Sequence, residues 1–170
     1  PIFATEQYRK GLGATVPEVA AAIPGFAPLE KLAFSACGAD GFVPALESKQ
    51  VSDAVLCGIE AHVCVTQTCL DLLDRGLRVF VVADAVSSRT PENHRAGLDR
   101  MRAAGEQVSA AHRRLQEEKE ALSEMVQQRR QAEAQYAAER ARLVEAQRLA
   151  AVEQKVDALL YQGDQALYPA

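Results

Sequence analysis

The side chains in this sequence that invite covalent chemistry are its four cysteines, Cys37, Cys57, Cys64 and Cys69, and its three histidines, His62, His94 and His112. The cysteines form no CxxC pair, so a zinc site is not expected, and no metal or cofactor is called for. Cys64 is the one whose surroundings point to reactivity. An apolar run, Ala54-Val55-Leu56-Cys57, ends at Gly58, and a helical period through Leu70, Leu72 and Leu73 follows, so that Cys64 opens a helix. A thiol at a helix N-terminus feels the positive end of the macrodipole, which favours the thiolate, the form that attacks carbon. The competing reading is plain packing, since unpaired cysteine is among the most buried residue types.

Positioning such a thiol takes a strand on one side and a helix on the other. The helical period breaks at Arg75-Gly76, and a second apolar run covers 79–83. Strand, helix, strand with apolar runs of this kind reads as a crossover unit in a buried parallel sheet. The right-handed crossover puts the turn after the first strand at the carboxyl edge of the sheet, where open α/β folds bind ligands. Cys57 falls inside the strand and Cys69 inside the helix, which reads as packing rather than bridging. Reduced thiols imply an intracellular, cytoplasmic protein, or a mitochondrial one if a targeting segment precedes Pro1.

The stretch Gly58-Ile59-Glu60-Ala61-His62-Val63-Cys64-Val65-Thr66-Gln67-Thr68, with Asp71, Arg75-Gly76 and 79–89, resembles the signature of the isochorismatase-like cysteine hydrolases, and within them the isochorismatase-domain-containing subgroup. Lys31-Leu32-Ala33-Phe34-Ser35 resembles that family's lysine motif. The resemblance covers residues 1–105. It implies that Cys64 is the nucleophile and that Lys31 is the lysine of an Asp, Lys, Cys triad. It also implies a cis peptide between Ile59 and Glu60, and an oxyanion hole made by the backbone N–H groups of Glu60 and Cys64. From the residues alone Lys31 would be taken as a surface lysine. A nearby ammonium would lower the thiol pKa, as the mechanism needs. His62, two residues before Cys64, is pocket-lining at most, or a solvent-facing loop histidine.

The triad's aspartate has no counterpart. In the family it lies on a strand ahead of the one that 1–6 resembles. Asp40, Asp53, Asp71 and Asp84 do not obviously replace it, for they read as loop, pre-strand, outward helix and strand-end residues. The chain is therefore expected to be a fragment of a longer product, with a processed or degenerate protein as the other reading. Hydrolysis by the chain as given is not expected. In the family the absent strand lies near the middle of the sheet, so a gap lined by apolar residues and marginal stability are anticipated.

The 170 residues, 48% hydrophobic and 25% charged, suit one globular domain plus an appendage. A net charge of −4 with interleaved cations argues against general affinity for nucleic acid or an anionic membrane surface. No apolar run nears the roughly 20 residues that cross a bilayer. A short helix is expected over 16–23, with Thr15 as cap and Pro17 in its first turn. Another is expected over 42–50, and a third from a Thr90 cap to Gly105.

From 106 to 162 there is neither glycine nor proline, and Ala, Glu, Gln, Arg and Leu dominate, which predicts one long helix. A seven-residue register links Val108, Leu115, Leu122, Arg129, Tyr136, Leu143 and Ala150. Its companion runs Ala111, Glu118, Met125, Ala132, Glu139 and Ala146. Polar residues interrupt both seams, so any coiled coil is weak or specialised. Leu149, Val152, Val156, Leu159 and Leu160 then shift the register, as a stutter would.

The expected fold is a three-layer α/β/α parallel sheet, isochorismatase-like and without its first strand, over 1–105, followed by a helical extension over 106–162 and a tail over 163–170. The resemblance implies a hydrolase acting on a small C–N or C–O substrate. The alternative is a non-catalytic interaction or scaffold protein that recruits partners through its helix. A homo-oligomer through either part is compatible with both.

Overall fold

The structure, a computed structural model, describes residues 1–167, with side chains through residue 159. It divides into two units, Pro1–Arg113 and Arg114–Ala170. The first is mixed α/β. In order it holds β1 (Thr5–Gln7), α1 (Arg9–Leu12), α2 (Pro17–Ala22), β2 (Leu29–Lys31), a 3₁₀ turn (Ala36–Gly38), α3 (Phe42–Ser48), β3 (Asp53–Ile59), a π turn (Ala61–Val65), α4 (Thr66–Asp74) and β4 (Arg78–Ser87). The start of α5 (Pro91–Leu167) completes it.

All the strands pair in parallel, as the crossover pattern implies, but in two separate pairs, β1 with β2 and β3 with β4. β1 and β3 share no ladder, and both border a cavity of about 170 Å³. Its lining is mixed rather than apolar, with Thr5, Gln7 and Lys31 beside Phe3, Val55 and Ile59. β3 advances from Leu56 to Gly58 while β4 advances from Val81 to Val86, a bulge that bends the pair. Gly58 sits there at φ 117, a conformation open to glycine and costly for residues with a Cβ.

The core lies on one face of the β3–β4 pair. Leu56 and Val79 pack against Leu72 of α4 and against Ala36, Phe42 and Leu46. A second cluster joins Ala61, Val65, Cys69 and Val86 to Met101 and Leu98 of α5. The opposite face, with Val55 and Phe80, is exposed. Cys57 belongs to that face and is exposed too, contrary to the packed position expected for it. The period of two along a strand sends alternate residues to opposite sides, and only one side is covered among the described residues. Cys69 is buried as expected.

Several local expectations change. Thr15 does not cap α2, whose N-cap is Val16 with no side-chain bond. The Thr15 N–H instead donates to Glu6 Oε1 at 2.8 Å, across the loop that α1 partly fills. Glu6 is buried, and this hydrogen bond, helped by Arg9 at 3.5 Å, holds its carboxyl below the usual carboxylate range. A carboxyl depressed on folding stabilises the fold above its unfolded pKa and loses that contribution as pH falls through the folded value. Unfolding midpoints measured from about pH 6 to pH 3 should therefore fall more steeply for the native chain than for Glu6→Gln. Equal slopes would show that the carboxylate contributes nothing.

α5 does not stop at Gly105. A lone glycine costs a helix about 1 kcal/mol relative to alanine, and the strong helix formers on both sides outweigh that. The helix starts where expected, with Thr90 Oγ1 accepting from Asn93 N at 3.2 Å. It runs to Leu167, so 163–167 are helix rather than tail, and 168–170 lie outside the described residues. In the second unit every side chain from 114 to 159 is exposed. Arg129 and Glu133 form an i,i+4 pair at 2.8 Å.

Candidate active site

The helical run after β3 begins at Ala61, three residues earlier than the sequence suggests, so Cys64 lies inside a π turn rather than at the head of α4. The widened turn is closed by Val65 N donating to Glu60 O at 3.2 Å. Thr66, fully buried, donates from Oγ1 to Ala61 O at 2.6 Å and ties the turn to the helix that follows. The Ile59–Glu60 peptide that leads into it is cis.

Lys31 ends β2 and is buried. Its Nζ donates to Ala33 O at 3.0 Å, Phe34 O at 2.8 Å and Gln7 Oε1 at 2.5 Å. Burial lowers its pKa from the usual lysine value, and the nearby Cys64 offsets part of that. Lys31 and Cys64, 33 positions apart in sequence, both line the cavity between the strand pairs. Cys64 is half-buried and borders two cavities, the one between the strand pairs and another of about 460 Å³. The second is lined by Thr5, Glu6, Gln7, Phe34, Ile59 and Val63, with Glu60 and Arg89.

Glu60 does not turn its charge on the thiol. Its carboxylate accepts from Arg89 Nε at 3.0 and 3.1 Å, and this partner, more than any other, holds its pKa below the usual range. His62 Nδ1 stands 3.1 Å from Ser88 Oγ and 3.4 Å from Glu60 Oε2, and the ring is absent from the lining of either cavity. Among the described residues no group of three or more His, Cys, Asp or Glu side chains is placed to hold a metal ion.

Three supporting residues escaped the sequence reading. Gln7 orients the ammonium. Thr68 Oγ1 accepts from Ala36 N at 2.8 Å and donates to Cys64 O at 2.7 Å. Gly97 of α5 lies so close to the π turn that a Cβ would stand 2.8 Å from Ala61 C and His62 N. The threonine's helical spacing from Cys64 was a usable signal, whereas the glycine and glutamine contacts are long-range and leave none.

The sequence matches the isochorismatase domain over residues 1–113 of 170. The chain belongs to the isochorismatase family. Among its relatives is isochorismatase domain-containing protein 2 of Macaca fascicularis, 47% identical over 116 residues, which are 65% of this chain and 53% of the relative. The chain thus spans about half the length of the curated relatives it matches. Its fold is similar to that of the MAR1 ribonuclease from Caenorhabditis elegans, with a TM-score of 0.55 and 46% identity over 62% of this chain and 54% of that one. It is also similar to YcaC from Pseudomonas aeruginosa, described with hexane-2,5-diol and covalent acrylamide, with a TM-score of 0.56 and 30% identity over 61% and 52% of the two chains. The isochorismatase-like fold and hydrolase family follow. No helix among the described residues is long and apolar enough to cross a membrane.

Proposed function

We propose that this isochorismatase-family chain carries the thiol and ammonium of a cysteine-hydrolase site for a small C–N or C–O substrate. The observation that carries this reading is that the buried Lys31 ammonium and the Cys64 thiol line one cavity, with the thiol bordering a second. Cys64 Sγ, as thiolate, attacks the substrate carbonyl carbon, and the C=O electron pair moves onto oxygen. The backbone N–H groups of Glu60 and Cys64 stabilise that oxyanion, where a well-placed donor is worth about 3 kcal/mol in the barrier. Collapse expels the amine or alcohol, which takes a proton, and water then hydrolyses the thioester. Both proton transfers need a general acid–base, which in this reading is an aspartate from outside the chain, so the chain alone does not turn over. The free cysteines suit a reducing compartment, the cytoplasm. A second reading, a scaffold that recruits partners, is favoured by the exposed helix of the second unit.

The test is alkylation of the native chain by acrylamide or iodoacetamide at pH 7, with the modified cysteine mapped by peptide mass. Cys64 is expected to react on the order of tenfold faster than free cysteine and to lose that advantage in Lys31→Met. A Cys64 no faster than free cysteine would remove the nucleophile from this account.

A further inference from the structure

We infer that residues 114–133 of α5 pair antiparallel with the same residues of a second copy of this chain, with Glu118 of each copy set against Arg129 of the other. Leu115, Leu122 and Met125 are 61%, 61% and 64% exposed, an apolar seam that nothing in the chain covers among the described residues. What selects its occupant is the pair of charges that interrupts it. Glu118 and Arg129 occupy the two alternating seam positions, where a charge without a partner would weaken a dimer. They stand 11 positions apart, at one distance on either side of the midpoint between Leu122 and Met125.

Antiparallel helices bring one seam position of the first opposite the other seam position of the second. Centred on that midpoint, the arrangement sets Leu122 of each copy against Met125 of the other and then Glu118 against Arg129, twice over by symmetry. Leu115 meets Ala132 next, large against small. The flanking positions bring Lys119 beside Val126, Ala121 beside Gln128 and Arg114 beside Gln135, with no like charges facing. In the parallel in-register arrangement Glu118 would meet Glu118, Arg129 would meet Arg129, and Arg114 would face Lys119. Charge therefore rejects the parallel dimer and completes the antiparallel one. The intrahelical Arg129–Glu133 pair is no obstacle, because both side chains are exposed and such a bond contributes little. The overlap of 20 residues spans about 30 Å.

The experiment is sedimentation equilibrium on the full chain and on E118R, R129E and the double swap E118R/R129E, with circular dichroism confirming the helix in each. The native chain is expected to dimerise, each single swap to weaken the dimer about a hundredfold, and the double swap to restore it. A monomeric native chain overturns the inference. So does a dimer indifferent to all four charge states, which would lie elsewhere, or one that the double swap leaves broken. Cys64 alkylation is unaffected by any of these outcomes, so this inference and the proposed function fail separately.

Discussion

Gly97→Ala is expected to slow Cys64 alkylation and to destabilise the first unit by about 1–3 kcal/mol, the usual cost of an inserted methyl group that forces backbone to move. The added Cβ would stand 2.8 Å from Ala61 C and His62 N and 2.9 Å from Ala61 O. None of these is the end of a flexible side chain. All three belong to the turn that carries the thiol, so either α5 withdraws or the π turn shifts. Gly105→Ala, on the same helix, supplies the contrast. Nothing stands within 4 Å of its added Cβ, so helix propensity alone should act and stabilise by up to about 1 kcal/mol. Opposite signs in urea unfolding at the two glycines, with a fall in thiol reactivity at Gly97 only, are the expected outcome. A neutral Gly97→Ala with native alkylation would mean that the helix does not bear on the site.

Leu72→Ala should be the most damaging single truncation, costing about 3–5 kcal/mol. Leu72 is 1% exposed and joins α4 to the Ala36, Phe42 and Leu46 cluster while touching the covered face of β3 and β4. Domains of this size hold roughly 5–15 kcal/mol in total, so the loss approaches the whole stability of a unit whose strands pair only two by two. Denaturation followed by near-ultraviolet circular dichroism should show the midpoint collapse, with buried Cys69 becoming titratable. Leu72→Met, close in volume, should cost less than about 1.5 kcal/mol. If alanine and methionine behaved alike, Leu72 would not be the keystone its burial suggests.

What could be read in advance follows how local each feature is. The β3, α4, β4 succession is written in short apolar runs and one helical period, and α3 and the Thr90 cap were equally visible. The Ile59–Glu60 cis bond and the expectation that Lys31 and Cys64 share a site came from the family resemblance, not from any periodicity. The π turn stayed hidden because its apolar spacing looks like that of the helix it precedes. Cys57 was misplaced because a short apolar run does not reveal whether a strand is covered on one face or both. Gly105 looked like a stop, since its local cost is plain in the sequence and the support from its neighbours is distributed. Thr15 looked like a cap until Glu6, nine residues back, took its amide. Only at Thr15 did a distant partner outbid a local preference.

The Thr68 hydroxyl joins the segment that follows Lys31 to the one that carries Cys64. With no ladder between β1 and β3, the sheet itself cannot keep lysine and cysteine in step. Lys31 is clasped by the carbonyls of Ala33 and Phe34, just ahead of Ala36, and Ala36 is hooked to the cysteine's own carbonyl through a single oxygen. The ammonium and the sulfur therefore ride on one tether. A breathing motion that parts the two halves of the sheet would have to break that link before it could draw the lysine away from the cysteine.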